Sequence, residues 1–401
     1  MTDRLESLLN FHPFTRLNTL LQGIEPGATP LALSVGEPQA APPEFLAEIL
    51  ERHKADWSRY PQSAGTPDFR VAVADWLTRR YRLPEGLIDR DAEIMPCAGS
   101  REALFHLALA AVPEWQGQGA RPVVLMPNPF YHVYAGAAAV AGAEPVFLPA
   151  TAGNGFLPEP ESVPPEVLSR TALAYVCSPS NPQGAIASRD YLARWLALAR
   201  RHGFTIAFDE CYAEIYRDQA PAGALEVADG SLENLVVLHS LSKRSSAPGL
   251  RSGFIAGDRR LIRRVTQLVN FGGVAPSFPA LAASAALWRD EVHVEAARAR
   301  YRRCFAIAER LIGQRFGFVP PAGGFFLWLD VGDGEAAARR LWAEAGIRVL
   351  PGAYMARPDS RGVNPGHPYI RVALVHEPEI VERGLAQLVA VLEPAEAEAA
   401  S

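Results

Sequence analysis

Leu235-Val-Val-Leu-His239 runs directly into Ser240-Leu-Ser-Lys-Arg-Ser-Ser-Ala-Pro-Gly-Leu-Arg251-Ser-Gly253. A short Val/Leu run ended by turn residues reads as a buried strand, and this one delivers a lysine and an arginine to its carboxyl end. Three more runs share that character: Arg121–Met126, Leu173–Cys177 and Thr205–Phe208. Between them lie segments with helical spacing, Arg101–Ala111, Tyr134–Ala141 and Arg189–His202. The alternation predicts an α/β fold, a mostly parallel sheet flanked on both faces by helices. From the long charged helix at Val294–Ile312 the pattern changes. Strands at Gly323–Val331, Ile347–Leu350 and Tyr369–Leu374, with helices at Glu335–Ala345 and after the last strand, predict a smaller α+β domain. The expected division is an arm and linker over 1–43, a large domain over 44–290 and a small one over 291–401.

Composition excludes several classes. With 401 residues, 49% of them hydrophobic and 21% charged, the chain has the material for a large buried core. A net charge of -5 gives no electrostatic reason to bind nucleic acid or an anionic membrane. The short basic clusters Arg79-Arg80 and Arg259-Arg260 read as solvated helix faces. Cys97, Cys177, Cys211 and Cys304 lie far apart with no C-x-x-C pair, which fits neither a disulfide framework nor a zinc site, so no metal is expected. Met1–Asn10 is acidic and polar, unlike a signal peptide, and no apolar run approaches the ~20 residues that span a bilayer. A cytoplasmic protein without membrane or nucleic-acid partners is the expectation.

Ligands of open α/β sheets bind beyond the carboxyl ends of the strands, where this sequence collects its chemistry. Lys243 can form a Schiff base with an aldehyde once burial favours the neutral amine. Ser240, Ser242 and Arg251 offer donors suited to phosphate. Asp209, ending one run, can hold a pyridine nitrogen protonated, and Tyr212 can reach the same ring's phenolic oxygen. Asn181 lies in Ser178-Pro-Ser-Asn-Pro-Gln-Gly184, after another run. Gly99-Ser100-Arg101 precedes a helix whose free N–H groups favour phosphate. Arg371, in a late apolar strand, needs an anionic partner, and a substrate carboxylate is one. Taken singly each has a plain structural reading: a polar surface loop for Lys243, a helix cap for Asp209 or Ser100, a Pro/Gly turn around Asn181, an internal ion pair for Arg371.

In combination and order, the S-x-S-K…G-x-R-x-G segment, N-P-x-G, D-x-x-Y and the late arginine resemble the fold-type I, class I/II aminotransferases over nearly the whole chain. The resemblance implies pyridoxal 5'-phosphate as cofactor, amino acids and keto acids as substrates, and Lys243 as the Schiff-base lysine and proton shuttle. It pairs Asp209 with the pyridine nitrogen, and Tyr212 and Asn181 with the ring hydroxyl. It gives the phosphate to Ser240, Arg251 and Gly99-Ser100-Arg101, with Ser242 in the same motif. Tyr131, in Pro129-Phe-Tyr-His-Val-Tyr134, matches the aromatic stacked on the ring. Arg371, with Asn181 and the backbone near Gly36, receives the α-carboxylate. Tyr60 matches a tyrosine that reaches the partner subunit's phosphate, which implies a homodimer with shared active sites.

Three stretches, Ser242–Phe254, Asn128–Tyr131 and Gly99–Phe105, are most similar to the bacterial N-succinyl-diaminopimelate aminotransferases of lysine biosynthesis. Asn270-Phe-Gly-Gly-Val274 stands where a Tyr-His-Gly-type segment is expected near the substrate's distal end, and Gln183 where threonine is usual. Aminotransferases for aspartate, alanine or aromatic amino acids, and a β-lyase of the same fold, are the alternatives. Gly332-Asp-Gly334-Glu-Ala-Ala337 superficially matches a dinucleotide-binding G-x-G-x-x-A, but its late position suits a helix-starting turn.

Overall fold

The computed structural model describes residues 12–393; Met1–Asn10 and the Ala/Glu-rich tail Pro394–Ser401 lie outside them. In chain order the strands are β1 (Leu31–Ala32), β2 (Ile94–Cys97), β3 (Val123–Asn128), β4 (Glu144–Pro149), β5 (Thr171–Cys177) and β6 (Thr205–Asp209). There follow β7 (Leu235–Ser240), β8 (Gly253–Gly257), β9 (Phe326–Asp330), β10 (Ile347–Arg348), β11 (Leu350–Pro351) and β12 (Tyr369–Ala373).

Seven of them form one sheet in the order β2-β8-β7-β6-β5-β3-β4. It is parallel from β7 to β4, whereas β8 runs antiparallel to both of its neighbours. Strand alternation sends Leu235 and Val237 of β7 into one apolar cluster and Val236 and Leu238 into another, so helices cover both faces. One covering helix, Arg189–His202, starts where Ser188 Oγ accepts the Tyr191 N–H at 3.2 Å and ends at Gly203 with φ 75°. Its Leu192, Trp195, Leu196 and Ala199 face the sheet. Burial of each such large side chain is worth roughly 1.5–3 kcal/mol.

A second sheet, β11-β12-β9, is antiparallel and packs with the helices Val292–Ile312, Gly334–Ala345 and Pro378–Leu392 around a cluster containing Phe305, Leu327, Leu341 and Leu385. The N-terminal segment joins this part of the molecule. Leu31 and Ala32 pair in parallel with Ile347 and Arg348, and Leu17 and Leu21 of the helix Pro13–Leu21 pack with Leu350, Tyr354 and Met355.

Four sequence readings need correction. The run at 347–350 is not one strand: Ile347–Arg348 pairs with β1, and Leu350–Pro351 pairs with β12, with buried Val349 between. Strands β2, β4 and β8 were not anticipated, because prolines in β2 and β4 and terminal glycines in β8 mask their short apolar cores. Lys243 lies in a four-residue helical turn, Leu241–Arg244, rather than a loop. Arg80 is no solvated residue: its Nε donates to Glu214 at 2.6 Å, and Arg298 donates to the same carboxylate at 2.9 Å. Gly332–Gly334 is the turn expected, with Asp333 Oδ1 accepting the N–H groups of Glu335 and Ala336 at 3.0 Å.

Candidate active site

One cleft of about 490 Å³ opens beyond the carboxyl ends of β5, β6 and β7. Asn181 reaches it from the loop after β5, Asp209 from the end of β6, and Ser240, Ser242 and Lys243 from the end of β7. Gly99, Ser100, Arg101 and Arg251 line one wall, Tyr131 and Tyr212 line others, and Gly36 and Arg371 enter from the arm and the second sheet. Tyr60 does not line it. That side chain is 98% exposed, against the segment containing Asn270 and Gly273.

Lys243 Nζ donates to the carbonyl of Gly36. Burial drives its acidity, with help from the Arg371 charge and against a partial offset from Cys211, so that the pKa falls from 10.5 to about 8. An amine so poised is an effective nucleophile near neutrality. Expected from this is an apoenzyme whose rate of pyridoxal phosphate uptake rises with pH, has its midpoint near 8, and then levels. A stopped-flow absorbance series checks it; a rate still climbing toward 10.5 contradicts it.

Asp209 is buried, and desolvation pushes its carboxyl upward against hydrogen bonds from Cys211 and Tyr134. Tyr134 Oη donates to Oδ2 at 2.7 Å, and the Cys211 N–H reaches Oδ1 at 3.3 Å. Asp209 thus does make the turn contact that a capping residue would, but its other oxygen is tied to the cleft wall.

The cradle opposite is built from the turn before the helix Ser100–Ala111. Gly99 has φ 86°, a conformation strained for any side chain, and a Cβ there would come 2.5 Å from Arg251 Nη2 and push the guanidinium aside. Arg251 donates to the carbonyls of Ala98 at 2.8 Å and Pro248 at 3.0 Å. Ser240 Oγ donates to Ser242 Oγ at 3.0 Å, and the thiol of Cys211 donates to Ser100 Oγ at 2.9 Å. Arg101 Nε donates to Tyr131 Oη at 2.8 Å.

Arg371 projects from β12 over the ring of Phe326, with its guanidinium carbon 4.1 Å from the centroid. Its Nη1 donates to Asn181 Oδ1 at 3.0 Å and its Nη2 to the Ser34 carbonyl at 2.8 Å, while Nε is buried without a partner among the described residues. Burial lowers its pKa to about 10. A buried cation with no carboxylate hydrogen-bonded to it among the described residues calls for a further anion, and a bound carboxylate is one. Gly36, beside it, is compelled: a Cβ would lie 2.5 Å from Phe326.

Sequence reasoning missed several lining residues. Pro13, Phe14 and Met355 close the rim, Cys211 and Tyr134 lie beneath, and His132 and Glu37 add titratable groups. Only the aromatic spacing Tyr131-His-Val-Tyr134 offered a signal, and it reads equally well as one apolar helix face. Among the described residues no cluster of side chains has the makings of a metal site, and no helix is long and apolar enough to cross a membrane.

The donor set fits a phosphorylated pyridine aldehyde. A near-neutral lysine would meet the aldehyde, a buried carboxylate the ring nitrogen, a glycine-floored turn with Arg251 the phosphate, and Arg371 a carboxylate. Joined to a sheet with one reversed strand next to its edge, this chemistry defines a pyridoxal-phosphate-dependent enzyme of fold type I. Residues 28–388 match the family model for aminotransferase class I and II, and the chain belongs to that family.

It is 33% identical over 334 residues to an LL-diaminopimelate aminotransferase of Desulforudis audaxviator, covering 81% of this chain and 83% of that one. It is also 33% identical over 361 residues to 4-dedimethylamino-4-oxo-anhydrotetracycline transaminase OxyQ of Streptomyces rimosus, covering 89% and 92%. The crystal structure of an aminotransferase from Neisseria meningitidis is similar with a TM-score of 0.89 at 39% identity, over 95% of this chain and 98% of that one.

Proposed function

We propose that this aminotransferase moves an amino group between glutamate and N-succinyl-2-amino-6-oxopimelate in a ping-pong reaction, and that it works as a homodimer. The observation that carries the amino-acid half is Arg371. Its fork, steadied by Asn181 and Ser34, shares one cleft with Lys243 and therefore fixes which bond at Cα faces the amine. Bound pyridoxal phosphate supplies an aldehyde that captures the amino group and a ring that accepts the electron pair released at Cα. Lys243 Nζ takes the Cα proton and returns it one atom away. Asp209 keeps the ring nitrogen protonated, Tyr212 and Asn181 hold the ring hydroxyl, and Tyr131 packs on the ring face. Ser240, Ser242, Arg251 and the Gly99-Ser100-Arg101 turn hold the phosphate, and the Gly36 backbone joins Arg371 at the carboxylate.

The acceptor assignment draws support from the three sequence stretches similar to succinyl-diaminopimelate enzymes and from a rim where apolar Phe14 and Met355 offer a surface for the methylenes of a long chain. Unmodified LL-diaminopimelate is the second reading, favoured by the relatives of that name. Its distal ammonium needs an acceptor carboxylate, and Glu37 is the cleft's remaining acid once Asp209 serves the ring. Reverse assays with N-succinyl-LL-diaminopimelate, LL-diaminopimelate, aspartate, alanine and phenylalanine, each against 2-oxoglutarate, decide the matter. Turnover of the succinylated compound at least tenfold above the others is expected. Activity confined to small amino acids sinks the acceptor assignment and spares the aminotransferase, and pyruvate with ammonia in the absence of keto acid marks a β-lyase.

The dimer is supported by exposed apolar side chains in two segments, Trp57 at 61% and Tyr60 at 98% in one, Phe271 at 95% and Val274 at 62% in the other, which meet where Tyr60 shares a groove with Asn270 and Gly273. Shared sites predict complementation. Lys243→Ala and Tyr60→Ala homodimers are each defective, but mixed dimers regain one intact site, so random reassortment restores about a quarter of the sites. A co-expression assay with differently tagged chains reads this directly; no recovery means that Tyr60 serves only its own subunit or none.

A further inference from the structure

We infer that Tyr134 is a positioning residue that holds Asp209 ionised and aimed at the cofactor's ring nitrogen; the inference rests on the role given to Asp209 above. Tyr134 is the third residue of the helix His132–Val140 and is 1% exposed. Its ring is stacked on Tyr175 of β5, with centroids 4.5 Å apart and planes 11° from parallel. Tyr175 is itself pinned, its hydroxyl donating to the Leu104 carbonyl at 2.7 Å. The stack fixes the plane of the Tyr134 ring, so its hydroxyl meets Asp209 Oδ2 in one geometry, at 2.7 Å.

Geometry also shows why the carboxylate needs it. The remaining contacts are both with Cys211: its thiol, a weak partner, and its N–H, long at 3.3 Å. A buried carboxyl left with weak partners drifts toward its neutral form, and a neutral carboxyl cannot stabilise a protonated pyridine. The other titratable groups facing Asp209 are Tyr131, Tyr175, Cys177, Cys211, Tyr212 and His239. Burial pushes the three phenols and two thiols upward, so they stay neutral near pH 7. His239 lies 2.9 Å from Glu210 and does not line the cleft; a charge on it would also favour the ionised Asp209. Tyr134 is likewise pushed well above its ordinary value by burial, so it remains a hydrogen-bond donor and does not compete for the proton.

The test pairs a side chain with a single cofactor atom. Apoenzyme of wild type and of Tyr134→Phe is titrated with pyridoxal phosphate and with its 1-deaza analogue, in which carbon replaces the ring nitrogen. Loss of a hydrogen bond to a charged group is worth roughly tenfold to a hundredfold. Tyr134→Phe should therefore weaken binding of the natural cofactor by about that factor, and binding of the analogue by no more than about twofold, the coupling being read as a double-mutant cycle. In the loaded enzyme the acid limb of kcat should move to higher pH. Equal weakening toward both cofactors overturns the inference, because a space-filling tyrosine has no reason to sense one ring atom. A wild type that does not distinguish the two cofactors overturns Asp209's role and the inference with it. If Tyr134→Phe does not fold, 3-fluorotyrosine at 134 strengthens the donor with little change in volume and should move the acid limb to lower pH; an unmoved limb refutes the proposal.

Discussion

Lys243→Ala should abolish transamination, with a loss on the order of 10⁴-fold or more, while leaving a folded protein that still binds pyridoxal phosphate without a covalent bond. The size follows from two duties on one atom. In the proposed reaction Nζ is the attachment point of the cofactor and the base for the Cα proton, and no other amine among the described residues lines the cleft. Folding should survive, because the proposed phosphate cradle and Asp209 do not depend on this side chain; among the described residues its one hydrogen bond runs to the Gly36 carbonyl. Loss of the visible absorbance of the lysine-bound cofactor, a wild-type-like melting curve and partial rescue by added small amines are the measurements. A variant that turns over glutamate normally refutes the assignment of Lys243.

Asp209→Ala should lower kcat by on the order of 10³-fold, the scale of removing a preorganised charge from a water-excluded site. Desolvation already pushes this carboxyl upward, so it is costly to keep ionised, and Tyr134 and the Cys211 N–H are arranged to offset that cost. In the proposed reaction, loss of the carboxylate would leave the ring nitrogen without its counter-charge and the electron pair at Cα with a poorer acceptor. The KM for glutamate should change far less than kcat, since Arg371 and Asn181 are untouched. A larger primary isotope effect with Cα-deuterated glutamate is the signature; an unchanged one, with kcat preserved, places Asp209 outside the chemistry.

How far the sequence disclosed this site depends on the kind of contact. Lys243, Asp209 and Asn181 were legible because each follows an apolar run, and parallel strands bring their carboxyl ends together whatever their order in the sheet. Arg371 was legible as a charge in a strand with no neighbour to neutralise it. Tyr134 was not, because at its position a core tyrosine and a donor to Asp209 look alike; only the 2.7 Å contact across 75 residues separates them. The same holds for Cys211 against Ser100. Pro13 and Phe14 reach the rim because of a pairing that no local pattern encodes. The reversal of β8 was hidden by its brevity, and Arg80 read as solvated because its carboxylate partner lies 134 residues away.

That arm has a consequence during synthesis. Leu31 and Ala32 complete their pairing only with Ile347 and Arg348, about three hundred residues further on. At ribosomal rates of ~5–20 residues per second, the helix Pro13–Leu21 and β1 wait roughly 15–60 seconds for their partners. By the end of that interval the seven-stranded sheet, complete at Gly257, has left the exit tunnel, while Leu17 and Leu21 have had nothing of their own to cover them. The earliest part of the described chain to be made is thus among the last to dock, and it is the stretch a nascent-chain chaperone would find most exposed.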